Sequence, residues 1–223
     1  MVLTQVLLLN FPTRAFYFMN AETKFNFYLA HDPKSLNEQS DIWKSDLPGR
    51  KNNHPDTLTY GEYFYAIRSF LLEHLDTVLD QSGTKIASLE PIHVFLEKHG
   101  EFYHPARIEV TSDTGNSVSF VANFAESEAG ISLINREFQL LNHLNSLFEN
   151  GNIPKIYLFS NVDVPSKKSA CIFMGDWFTN YHEFHMTHEK KYVVWNQKNG
   201  NFYLTKTQVE QMYRKTAEIM TSF

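Results

Sequence analysis

The chain has a single cysteine, Cys171, so no disulfide can close within one molecule, and the expected compartment is the cytoplasm. It has no apolar run of the roughly 18 residues that a spanning helix needs, so no membrane partner is expected. It also lacks an excess of positive charge. Lys and Arg number 20 against 25 Asp and Glu, for a net charge of -5, and a nucleic-acid partner would need a basic face. Residues 1–10 are apolar but carry neither a basic start nor a small-residue cleavage site, and they read as a strand and not as a leader. Internal repeats, low-complexity tracts and long charge runs are absent.

What the chain does have is aromatic bulk. Phe, Tyr and Trp make up 15% of its 223 residues, within 43% hydrophobic and 20% charged, a balance that suits a soluble, strand-rich fold with large buried side chains. Short alternating strands are expected over residues 6–11, 14–20 and 24–30, the last two forming a hairpin. Residues 31–56 are polar and broken by Pro33, Pro48, Gly49 and Pro55, which predicts a long loop with one helical turn near Trp43. Thr59-Tyr-Gly-Glu62 has the form of a capping box, opening a helix whose stripe includes Phe64, Ile67, Leu71, Leu75 and Val78, and Gly83 closes it. Residues 83–88 are the one boundary expected between modules.

Beyond that boundary, Ile92, Val94 and Leu96 alternate with His93, Phe95 and Glu97 as in a strand, although residues 91–99 also fit a helix closed by Gly100. A strand over residues 106–112 leads into an Asp113-Thr-Gly115-Asn116 turn. The centre of the sequence follows. Val118, Phe120, Ala122 and Phe124 alternate with Val121 and Asn123, residues 126–130 form a loop, and Ile131, Ile134, Phe138, Leu141 and Leu144 then recur at helical spacing. Strands over residues 155–160 and 169–178 come after it. The tail reads as a hairpin around Asn199-Gly200 and a helix opened by a second capping box, Thr205-Lys-Thr-Gln208.

From residue 92 to residue 178 this order resembles the small, N-terminal lobe of the kinase-like fold, in its aminoglycoside phosphotransferase branch. The likeness is carried by Pro105-Ala-Arg107-Ile108 after the first turn, Phe120-Val-Ala-Asn123 in the third strand, Arg136-Glu137-Phe138 early in the helix, and Ile153-Pro-Lys155-Ile156 entering the fourth strand. The implied fold is α+β: an antiparallel sheet with a packed helix over residues 86–180, preceded by a hairpin and helix module over residues 1–85. Residues 181–223 would lead toward a second lobe. The resemblance implies ATP and magnesium as ligands, with Glu137 pairing a phosphate-binding lysine and the backbone at Gly175, Asp176 and Trp177 meeting adenine.

The sequence departs from that pattern at telling places. The third strand carries Asn123 where the family has lysine, which leaves phosphate binding to a substitute such as Lys98 or Arg107. No glycine-rich turn accompanies Gly100, and no H-x-D base follows the hinge that the resemblance places at residues 175–178. His74-Leu-Asp76 has the letters on a helix that precedes the lobe, and His99-Gly-Glu101 has Glu in place of the Asp. His182, His185 and His188 are spaced by three and three, unlike the helical zinc-protease pattern.

Three functions fit these observations. One is the nucleotide-facing lobe of a phosphotransferase-like protein, inactive as this chain stands. Another is a degenerate lobe that serves as a non-catalytic scaffold or protein-binding module. The third is a sensor using the aromatic residues around Trp177.

Overall fold

A computed structural model describes residues 23–30, 32–48, 58–97, 102–147, 153–164, 169–177, 183–186, 189, 191–196 and 200–221. The chain divides into two compact units, Met1–Trp177 and Phe178–Phe223. The expected strands before residue 21, and Lys98, His182 and His188, lie outside the described residues.

In the first unit the strands are β1 (Phe25–Leu29), β2 (Asp32–Leu36), β3 (Ile86–Leu96), β4 (His104–Ser112), β5 (Ser117–Ala125), β6 (Ile156–Val162) and β7 (Ala170–Asp176). They form one sheet in the order β2-β1-β3-β4-β5-β7-β6. All neighbours are antiparallel except β1 and β3, which run parallel with Phe25 beside Ile92 and Leu29 beside Leu96. Residues on both sides of the expected boundary at 83–88 therefore share a sheet. β2 falls where the sequence predicted loop. Its polar Asp-Pro-Lys-Ser-Leu becomes a strand because β1 offers a free edge to pair with, a reason that local pattern does not carry.

Two helices cover opposite faces of this sheet. Helix α1 (Tyr60–Ser82) begins at Thr59, whose side chain accepts from the Glu62 amide while the Glu62 carboxylate accepts from the Thr59 amide. It ends at Gly83, whose φ of 70° closes the helix in the left-handed region. Its stripe of Phe64, Ile67, Leu71, Leu75 and Val78 is fully buried, each side chain removing about 1.5–3 kcal/mol worth of apolar surface from water. The stripe packs on the inward residues of β1, β3, β4, β5 and β7, among them Phe27, Val94, Ile108, Phe120 and Met174. A short 3-10 turn at Asp41–Lys44 sets Trp43 against Phe64 and against Gly61.

Helix α2 (Glu128–Leu147) lies on the other face, with Ile134 packed among Ala125, Cys171 and Phe173, and Phe138 against Phe159. It starts earlier than the expected loop over residues 126–130 allows. Ser127 accepts from the Gly130 amide through Oγ at 3.1 Å, so Glu-Ala-Gly forms the first turn. Gly130 is needed there, because a Cβ would stand 2.1 Å from the Phe102 carbonyl oxygen.

The second unit is a three-stranded antiparallel sheet and a helix. Strands β8 (Glu183–Met186), β9 (Tyr192–Asn196) and β10 (Gly200–Tyr203) take the order β10-β9-β8, adding one strand to the expected hairpin. Helix α3 (Lys206–Thr221) opens on the expected box, in which Thr205 and Gln208 exchange backbone-to-side-chain bonds at 2.9 and 3.4 Å.

Candidate functional site

Strand alternation puts the chemistry on the α2 face. Residues of β1, β3, β4 and β5 that do not enter the α1 core point to this side, and the register lines them up in rows. One row runs Tyr28, Phe95, Arg107, Val121, Gly175, Ile156, and the next joins Pro105, Asn123, Phe173 and Phe159. Helix α2 covers the end of these rows at β5, β7 and β6, leaving the β1, β3 and β4 part clear of any described helix of this unit.

The centre of that part is Arg107. Its Nε donates to Glu97 Oε1 at 2.6 Å, and its guanidinium also pairs with Glu109. The group lies 4.1 Å from the Phe95 ring centroid and 5.8 Å from that of Trp177. Phe95 stacks with Tyr28 at 4.8 Å, and His93 joins the same ladder. Burial holds the His93 imidazole below its ordinary value, favouring the neutral ring. The Arg107 side chain is 15% exposed, with Glu97 at 11% and Glu109 at 26%. Two carboxylates and two ring faces therefore satisfy one cation.

Asn123 is buried on β5 between Pro105 and Phe173, on the face against which α2 packs. Glu137 is half-buried one turn after Ile134, and loss of water raises its carboxyl pKa above the ordinary 4.5. Among the described residues no cation pairs with it. The expected helix acid and strand amide thus belong to one face of the sheet. Gly175 joins them there, where a Cβ would stand 2.7 Å from the Lys155 carbonyl oxygen, so its lack of a side chain serves the approach of β6.

Asp176 turns the other way. It is paired with Phe120, on the α1 side, and its carboxylate accepts from Tyr157 Oη and from the Lys155 amide at 3.1 Å. Its own amide donates to the Lys155 carbonyl at 2.9 Å, so this N–H is already used inside the sheet. Burial raises the Tyr157 hydroxyl pKa, and its hydrogen bond to the Asp176 carboxylate adds to the rise.

Two of the expected phosphate donors are described on this face, Asn123 and Arg107. Asn123 supplies no charge, and Arg107 is engaged by two glutamates. No group of three metal-binding side chains occurs among the described residues. None of the described helices is long and apolar enough to cross a membrane.

The aromatic and ionic ladder of Tyr28, His93, Phe95, Glu97 and Glu109 went unrecognised in the sequence. Its signal was there: charged residues at alternate positions of two strands, on a face otherwise built of rings. No family model matches the chain, and neither the curated proteins nor the solved structures compared with it contain a match.

Proposed function

We propose that residues 86–177 form a kinase-like small lobe acting as a non-catalytic binding module, with the α2 face as its binding surface. The support for a kinase-like lobe is the order β3-β4-β5-β7-β6, all antiparallel, with α2 inserted between β5 and β6 and packed beside Asn123. The observation that carries the non-catalytic reading is the Arg107 guanidinium closed between Glu97 and Glu109, on the face where a phosphate-binding cation would be wanted. Thermal melting of the full chain with and without magnesium-ATP tests it. No rise in Tm is expected. A ligand at a hundred times its dissociation constant would add about 2.7 kcal/mol, and a rise of that order overturns the reading.

The second reading is the nucleotide-facing part of a phosphotransferase-like protein. It is favoured by Glu137, whose half-buried carboxyl has no described partner and stands ready for a cation. In that case magnesium-ATP raises Tm, and Glu137→Gln diminishes the rise.

A further inference from the structure

The first unit ends on two residues that are held on opposite sides of its sheet. Asp176, the last residue of β7, accepts from Tyr157 Oη on the α1 side, and it is tied to the Lys155 backbone through both its carboxylate and its amide. Trp177 follows it outside the strand and closes the unit. Its ring is half-buried on the α2 side, with the Arg107 guanidinium carbon 5.8 Å from the ring centroid. Strand β5 lies between β4 and β7, so the indole reaches Arg107 by crossing over it. The β5 residues that face this side are Ser119 and Val121, opposite Glu109 and Arg107, and neither is long enough to stand in the way.

We propose that Trp177 is a strap that opens and closes on Arg107, with Asp176 as its fixed end. Of the four described groups around the guanidinium, Phe95, Glu97 and Glu109 stand on the paired strands β3 and β4, and Phe95 is the nearer ring at 4.1 Å. Trp177 alone comes from beyond a strand end. Releasing it leaves the cation with both carboxylates and one ring face, so the cluster stays whole while the strap opens.

The contact between a half-exposed cation and a ring favours the closed form by a factor of about two to five. A strap held by little more than this opens well short of unfolding. Closed, it covers Ser119 and Val121 and fixes the place where the chain leaves the first unit. Open, it uncovers them, while Asp176 keeps its bonds to Tyr157 and Lys155 and the sheet stays intact behind it. Access to the middle of the α2 face thereby depends on the residue at which the first unit ends. The strap does not depend on what that face binds.

The chain has three tryptophans, Trp43, Trp177 and Trp195, so fluorine NMR of the full chain labelled with fluorotryptophan follows each of them. Trp177→Phe and Trp195→Phe assign the signals. Trp43 is 7% exposed in the α1-side core and reports the folding of the same unit. On warming short of the unfolding transition, the Trp177 signal is expected to move toward its position in urea while the Trp43 signal stays. Arg107→Lys keeps a charge for Glu97 and Glu109 but offers the indole no plane. At a fixed temperature it should move the Trp177 signal the same way, raising the ratio of open to closed forms about two- to fivefold with Trp43 in place. Wild-type Trp43 and Trp177 signals that move only together overturn the proposal, and so does a Trp177 signal that Arg107→Lys leaves unmoved. The warming series uses no substitution at Arg107 and decides the question even where Arg107→Lys does not fold.

Discussion

Arg107 and Phe95 are direct cross-strand partners on β4 and β3, and the guanidinium carbon lies 4.1 Å from the ring centroid. That contact leaves the edge of the guanidinium free for Glu97 and Glu109, and planar Arg can serve ring and carboxylates at once, as Lys cannot. Arg107→Ala would strand two largely buried carboxylates beside each other. A fully buried ion pair broken in this way costs about 3–5 kcal/mol, and partial exposure lowers the expectation here to about 2–3 kcal/mol. Arg107→Lys should lose less, keeping the charge but not the fork. Urea denaturation of the three proteins checks the order, and a loss below about 0.5 kcal/mol for Arg107→Ala would class the cluster with ordinary surface pairs.

Glu137 gives a pH dependence with a definite sign. Its folded carboxyl holds its proton more tightly than the unfolded one, so the native state binds more protons in the window above 4.5, and stability falls as pH rises through it. Glu137→Gln removes this. The variant and wild type should be equally dependent on pH below 4.5, and the variant should gain relative stability between there and neutrality. Paired urea titrations from pH 4 to pH 7 measure the difference. A variant that loses ground as pH rises would mean that a cation neutralises Glu137 in the folded chain.

How much of this could be read beforehand depended on the range of the forces involved. The ends of α1 were legible because Thr59, Glu62 and Gly83 act within one turn of themselves. So was the hairpin between β4 and β5, where Gly115 takes a φ of 79°. The alternation of β5 and the spacing of Ile134 and Phe138 gave the face and the helix that bear the candidate site. Strand β2 and the parallel pairing of β1 with β3 were not legible, since what makes Asp32–Leu36 a strand is an edge supplied by another segment. The Arg107 cluster failed for the same reason. Alternation assigns Glu97, Arg107 and Glu109 to a face, but only register between β3 and β4 brings them together.

The cap of α1 predicts a local cost. Thr59→Ala removes the acceptor for the Glu62 amide at 3.2 Å and half of a reciprocal pair. The loss should be about 1 kcal/mol, seen as a lower urea midpoint with an unchanged slope. Thr59→Ser, which keeps the hydroxyl, should recover most of it. Equal losses from both would show that the Thr59 methyl, and not the hydrogen bond, is what the helix start uses.

Gly130 and Gly115 separate two reasons for glycine. At Gly115 the φ of 79° lies in the left-handed region and a Cβ meets nothing within 4 Å, so alanine costs only backbone strain of about 1 kcal/mol. Gly130 is inside a helix, where alanine would ordinarily gain about 1 kcal/mol. There the added carbon would stand 2.1 Å from the Phe102 carbonyl oxygen. A backbone carbonyl cannot turn aside as a side chain can, so the first turn of α2 has to move off the strand start, with a net loss of about 2 kcal/mol. Near-ultraviolet circular dichroism and urea midpoints of the two variants check this. Gly130→Ala should be the more damaging, and it should weaken the packing of Ile131 and Ile134 on Phe173. A Gly130→Ala protein as stable as wild type would mean that α2 is not held at Phe102, and the placement of Glu137 on the sheet would fail with it.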